Sequence, residues 1–344
     1  MFSKLVTKRY TQNIAFRSFS KVDSRGTPSI FSDIDKHGFL PSQKPMITLP
    51  SEFKALNEAL DAMRFLQNGQ ETGLLAKNEL RKQIDANFPN LIEAIKKSDP
   101  KDASFQGALF RDYSFLSSGY MLEPCHINYL KTKNYGRGSD HIPESLAVPM
   151  KFLCDRIGYG QPLLEYAYGY SLNNWMLIND KNPKELNYKN EDLMPNRKKP
   201  IENLKCIRQH IGNRDEEGFI LIHVVIVSRS HLQIAANKLI LEGAKNKDRA
   251  TFNKGMQQLV DYLVDIQEIF NLMWKESLPK SYLTFRTFIM GVQGNDEIFP
   301  NKMLYKGCFD NVPQAFRGET GAQDSIIPAT DSVLGLDYPK NQLT

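Results

Sequence analysis

Cysteine is scarce in this sequence: Cys125, Cys154, Cys206 and Cys308 are all there are in 344 residues, and no two form a CxxC pair. That spacing excludes the usual zinc ribbons and fingers, and a disulfide framework is not expected in so long a chain. The four read as reduced thiols in the core or on the surface. Long apolar runs are missing as well. No uninterrupted stretch approaches the roughly 18–20 residues of a membrane-spanning helix, and mean hydropathy is −0.43, so no membrane span is expected. There is no HExxH, no GxxxxGK[ST] and no GxGxxG after a strand, which removes the common zinc, nucleotide and dinucleotide signatures. An excess of one charge is lacking over most of the chain. The formal net charge is +5, but six of the 44 Lys and Arg residues lie in the first 25 positions, against one of the 39 acids, Asp23. The remaining 38 bases face 38 acids. The body of the protein therefore has no field suited to tracking phosphates, and nucleic acid is excluded as a partner.

Residues 1–25 (MFSKLVTKRYTQNIAFRSFSKVDSR) are rich in Arg, Lys, Ser and Thr. Phe2, Leu5, Val6, Arg9 and Tyr10 give a short amphipathic face, and no apolar core of a secretory signal is present. This is the composition of a mitochondrial transit segment; the alternative is a basic tail on a cytoplasmic protein. Residues 26–50 hold Gly26, Pro28, Gly38, Pro41, Pro45 and Pro50, a turn-rich lead-in.

From Ser51 onward the apolar residues recur at spacings of three and four, as in Phe53, Leu56, Leu60, Met63 and Leu66. The same texture predicts helices over Leu74–Ile95, around Leu109–Tyr120, and over Leu146–Ile157 and Leu163–Ile178. It also predicts them over Phe252–Ser277, Tyr282–Val292 and Ser325–Leu334. His126–Pro143 and Asn179–Pro200 read as polar loops. The class is all-α, with one continuous helical core over residues 51–338. Residues 26–160 form a smaller N-terminal part with its lead-in and residues 161–344 a larger one.

Three places carry residues that the helical pattern does not explain. His223 lies in the apolar run Phe219-Ile-Leu-Ile-His223-Val-Val-Ile-Val227. An unpaired imidazole buried there costs about 1–3 kcal/mol, so it is either satisfied by a core partner or faces a cavity with an occupant. Arg286 sits among aromatics in Tyr282-Leu-Thr-Phe-Arg286-Thr-Phe; a guanidinium there is an internal ion pair or a clamp for a carboxylate. Third, the loop Arg317-Gly-Glu-Thr-Gly-Ala-Gln-Asp-Ser325 is small and hydroxyl-bearing, which suits close backbone approach to a ligand or an ordinary helix entry. His37, His126 and His141 stand in polar or Gly/Pro-containing stretches and read as solvated.

Together these places resemble one family. Tyr282–Asn295, with Phe-Arg-Thr-Phe and the closing Gly-Val-Gln-Gly-Asn, is similar to the distal-arginine segment of the indoleamine 2,3-dioxygenases. RGETGAQDSIIPATDSVLGL at 317–336 resembles that family's Gly/Ser-rich loop and following helix, and Gly38-Phe-Leu-Pro41 its opening motif. Ser145–Pro149 and Tyr166–Trp175 resemble two further family segments, in order across about 300 residues.

The resemblance implies an all-helical fold whose larger part encloses haem b. It also implies oxidation of L-tryptophan by O2, breaking the indole C2–C3 bond to give N-formylkynurenine, the first step of the kynurenine pathway. Carried over by position, Arg286 binds the substrate carboxylate and Phe219 packs on the indole. Thr320 stands near haem and the substrate ammonium, with Gly318 and Gly321 beside the cofactor. His223 falls where related enzymes have serine or histidine, and a neutral imidazole there accepts a hydrogen bond from the indole N–H. The family's proximal haem histidine lies on a helix beyond the loop represented by 317–325, and no histidine follows His231 here. The sequence is therefore expected to be C-terminally incomplete, with no metal ligand of its own. His210 or Cys206 are the alternative iron ligands, and Ser230-His231-Leu-Gln-Ile234 is a decoy for the proximal motif. A non-catalytic homologue that binds an indole, haem or a protein is the alternative function.

Overall fold

The computed structural model describes residues 33–318, 321 and 324–336; the transit-like residues 1–25 and Thr320 lie outside the described residues. Helix makes up 58% of the structure and strand 5%, so the class is all-α. Nine helices of eight residues or more carry the described fold. They are α1 (Lys54–Met63), α2 (Leu80–Asn87), α3 (Ala103–Thr132), α4 (Glu144–Ile157), α5 (Arg214–Ser228), α6 (Ser230–Asn246), α7 (Arg249–Asn271), α8 (Pro279–Arg286) and α9 (Ile326–Leu334). Four short strands tie loops together. β1 (His141–Ile142) pairs in parallel with β4 (Leu304–Tyr305), and β2 (Trp175–Leu177) pairs antiparallel with β3 (Leu204–Cys206).

The centre of the fold is α3, buried along most of its 30 residues. Its start is fixed by Asp102, whose carboxylate accepts from Phe105 N at 2.9 Å, an N-cap that satisfies one of the free first-turn donors. The helix runs on through Pro124 to Thr132, past the point where the sequence reads as loop. A carboxylate in its second half is inside and partnered: Glu123 reaches across to accept from Leu80 N (2.8 Å) and Arg81 N (3.0 Å), capping α2 from another element. Burial pushes that carboxyl upward. His126 is buried between Phe65 and Phe288, with ring centroids at 5.2 and 4.9 Å, not solvated as its surroundings in sequence suggest.

His37 is likewise buried, its Nδ1 3.0 Å from Asn190 Oδ1 and its ring 4.3 Å from Tyr188. The stretch Asn179–Pro200, read as unpacked, thus sends Tyr188, Asn190 and Leu193 into the interior. His141 stays partly exposed, held by Asp140 and Tyr120. A charged knot locks the middle of α3: Arg111 and Arg208 both bind Asp112, at 2.7 and 2.9 Å, and Arg208 also reaches Asp61. Such buried charges are tolerated only when paired and hydrogen-bonded.

The main apolar core runs without interruption from Phe39 to Ile326, and a satellite cluster of Ala236, Ile240, Leu259 and Tyr262 glues α6 to α7. Residues Arg214–Asn246, the α5–α6 pair, are long and apolar enough to cross a bilayer by length and composition, yet 67% of the most apolar window is buried inside the fold. Packing within the core accounts for that composition. All four cysteines are buried and unpaired.

Candidate functional site

The site is built around α5. Asn213 caps its N-terminus by accepting from Glu216 N at 2.9 Å. The Glu216 carboxyl accepts from the backbone N–H groups of His210, Ile211 and Gly212 at 2.8–3.0 Å, which fixes the approach of the chain. Burial raises the Glu216 carboxyl to about 7. Beyond this anchor α5 presents Phe219 and His223, four residues apart and so on one face.

Opposite α5 lies a π-helical segment, Tyr166–Leu172, in place of the regular helix expected over Leu163–Ile178. Glu165 caps its start, accepting from the amides of Ala167, Tyr168 and Gly169. Short π-segments recur at functional sites. This one lays the Tyr166 ring against His223, with centroids 5.1 Å apart and planes at 25°. Phe219 completes an aromatic wall, 5.9 Å from Tyr166, 5.4 Å from Tyr282 and 5.3 Å from Phe285.

These residues border a cavity of about 790 Å³. Tyr166, Phe219, His223 and Tyr282 form one side; Leu263, Ile266 and Phe270 of α7 the other; Gly321 and Ile326 close an end. The size and apolar character suit a drug-sized aromatic ligand. His223 has a core partner: its Nε2 lies 2.7 Å from Asp324 Oδ2. Its Nδ1 is buried and makes no hydrogen bond. His223 thus has the core partner that its burial demands, and it also borders the cavity.

A family model for indoleamine 2,3-dioxygenase matches residues 31–343. The chain belongs to the indoleamine 2,3-dioxygenase family. It is also similar to indoleamine 2,3-dioxygenase 2 of Mus musculus, 25% identical over 218 residues, which covers 63% of this chain and 49% of the relative. The chain thus spans about half the length of that curated relative.

The remaining residues singled out in the sequence fall as follows. Arg286 ends α8, four residues after Tyr282 and hence on the same helical face. It does not itself border the cavity; it lies near Tyr135, and its Nη1 is buried without a hydrogen-bond partner. Gly318 does not border the cavity. It crosses Gly291 so closely that a Cβ on Gly291 would stand 1.9 Å from Gly318 N, and one on Gly318 2.5 Å from Gly291 N. Small residues in this loop thus serve a backbone crossing, sealed by Val292 N and Gln293 N donating to Phe316 O at 2.9 Å each. Gly321 does border the cavity, and a Cβ there would press on the Tyr166 ring at 3.2 Å. The Gly38-Phe-Leu-Pro41 motif is structural too: Gly38 takes φ +63° against the start of α6, and Phe39 N donates to Ser230 Oγ at 2.8 Å.

Members of this family are haem-dependent dioxygenases, so the donors around the cavity bear on the cofactor. All six histidines and all four cysteines are among the described residues. Only His223 borders the cavity, and its Nε2 is held by Asp324. His210 is stacked between Phe115 and Phe288 at 4.7 and 4.4 Å, its Nε2 3.1 Å from the Phe115 carbonyl oxygen. Cys206 is buried against the start of α5, and burial pushes its thiol well up. His231 Nδ1 sits 2.9 Å from Ser228 O and 3.1 Å from Asn190 Nδ2. None of these three borders the cavity. Among the described residues no group of three or more His, Cys, Asp or Glu could hold a metal ion. The cavity lining is largely apolar, and its one histidine, already held by Asp324, is not a free axial ligand for iron.

Sequence reasoning missed Tyr166 and Asp324. Asp324 had a signal: a buried histidine demands a polar partner, and the loop quoted for its glycines contains that aspartate.

Proposed function

We propose that this chain carries the indole-binding half of a dioxygenase site that acts on L-tryptophan, breaking the indole C2–C3 bond with O2 to give N-formylkynurenine. The observation that carries this reading is the meeting of Phe219, His223 and Tyr166 on one wall of an apolar cavity of about 790 Å³, in a chain of the indoleamine 2,3-dioxygenase family. Phe219 and Tyr282 offer ring faces to a flat aromatic ligand. The unpaired Nδ1 of His223 is the acceptor for the indole N–H. The unpaired Nη1 of Arg286 is the donor for the substrate carboxylate, reached past Tyr282. Leu263 and Ile266 give the ring an apolar surface to pack against. Haem, when bound, supplies the oxygen chemistry, with the protein providing orientation. A mitochondrial location belongs to the same proposal and rests on residues 1–25.

A second reading starts from His223 being held by Asp324: the chain binds indoles without oxygen chemistry. Titration of the purified chain with hemin, followed by the pyridine haemochrome and ferrous–CO spectra, separates the two. Stoichiometric haem together with N-formylkynurenine formed from L-tryptophan supports the dioxygenase. Calorimetric binding of L-tryptophan by a chain that takes up no haem supports the binding module. A chain that binds no indole in either form refutes both.

A further inference from the structure

Asp324 is 1% exposed and has both carboxylate oxygens engaged. Oδ2 lies 2.7 Å from His223 Nε2, across 101 positions of sequence. Oδ1 accepts from Ile326 N at 3.1 Å, at the entry to α9. A carboxylate has no proton to donate, so the hydrogen of the His223–Asp324 contact belongs to the imidazole. Nε2 is then the protonated nitrogen, and in the neutral ring Nδ1 is left as an acceptor. Nδ1 is also the atom of this ring that is buried without a protein partner. The ring itself cannot drift, because Tyr166 is stacked on it. One carboxylate therefore decides which nitrogen of a ring that borders the cavity can receive a hydrogen bond.

We propose that Asp324 is the positioning residue of this cavity: it holds His223 in the Nε2–H tautomer and so makes the pocket select ligands whose aromatic ring carries an N–H. The selection rests on the reading of the cavity as an indole site; the tautomer does not. The Ile326 contact makes the proposal testable with one atom. In Asp324→Asn the amide oxygen is the only atom able to accept from Ile326 N–H, so the amide nitrogen must face His223 Nε2 and donate to it. Nε2 then loses its proton, Nδ1 gains one, and the ring's free acceptor becomes a donor. Shape and volume are almost unchanged.

The experiment uses the full chain labelled with 15N-histidine. Long-range 1H–15N spectra report the protonation of each ring nitrogen, with His223→Gln identifying the His223 signals, and calorimetry compares indole with 1-methylindole. The expected wild-type ring has protonated Nε2 and bare Nδ1. Its expected preference for indole is roughly two- to tenfold, the worth of one buried hydrogen bond. Asp324→Asn should invert the tautomer and abolish the preference while circular dichroism stays that of the wild type. A wild-type ring with a proton on Nδ1, or unchanged His223 signals in Asp324→Asn, overturns the assignment of Asp324. Should that variant not fold, the wild-type spectrum alone decides the tautomer. An inverted tautomer in a protein that never distinguished indole from 1-methylindole leaves the assignment standing and overturns the indole reading instead.

Discussion

His126 gives a direct handle on how the segment beneath Arg286 is held. It lies on α3 with Phe65 edge-on to its ring and Phe288, two residues beyond Arg286, packed on the other side. Burial is the largest influence and brings the imidazole down from 6.5 to about 4. The folded value lies below the unfolded one, so the stability linked to this group is fully present above pH 6.5 and is lost as pH falls toward 4. A group with that displacement costs the folded state about 2 kcal/mol between pH 7 and pH 5, with a limiting slope of about 1.4 kcal/mol per pH unit. His210, lowered to about 3, adds a slope of the same sign. Glu216, raised to about 7, opposes them, because its folded carboxyl holds a proton that the unfolded one releases above about 4.5. The net slope of the wild type is therefore a sum of opposing parts, and a difference is the sound measurement. In His126→Leu one titrating group is gone. Urea denaturation at pH 7, 6 and 5, followed by circular dichroism, should show the variant gaining on the wild type by about 2 kcal/mol over that range, whatever packing cost it carries at pH 7. A gap between the two proteins that stays constant with pH would refute the argument, for it would mean that His126 titrates alike in both states.

Other outcomes follow from the same geometry. Arg286→Ala should weaken binding of L-tryptophan by tenfold or more while changing tryptamine, which lacks the carboxylate, by less than threefold; equal losses in calorimetry would make Arg286 a structural residue. Gly291→Ala, which would drive a Cβ to 1.9 Å from Gly318 N, should cost about 1–3 kcal/mol in a denaturant titration, and an unchanged midpoint would disprove the tight crossing. Asp112→Ala leaves Arg111 and Arg208 facing each other inside the protein; a loss of about 3–5 kcal/mol is expected, and a loss under 1 kcal/mol would show that water reaches the pair.

What was legible in the sequence divides along a physical line. Helices such as α1, α4, α7 and α9 announce themselves because each buries one stripe and leaves the rest in water, so local spacing carries the signal. The stretch from Leu74 to Ile95 breaks into short pieces, since Asn78 takes a left-handed turn at φ +57° that spacing does not reveal. The second half of α3 is illegible for a different reason. Glu123 and His126 look like surface residues until the backbone of Leu80 and Arg81 and the rings of Phe65 and Phe288 are brought to them from elsewhere.

The site obeys the same division. His223 and Arg286 stand out because each is out of keeping with its own neighbours, whereas Phe219 is legible only through the family resemblance. Tyr166 and Asp324 do not, because a tyrosine in an aromatic segment and an aspartate before a helix are ordinary in their local settings. Their importance arises only where a π-helical turn, capped by Glu165, and the entry to α9 converge on the ring of His223. An imidazole in an apolar helix therefore signals a missing partner without saying where in the chain it lies. Here the partner sits 101 residues away, and with Tyr166 it turns a histidine out of place on α5 into a fixed polar point on an otherwise apolar wall.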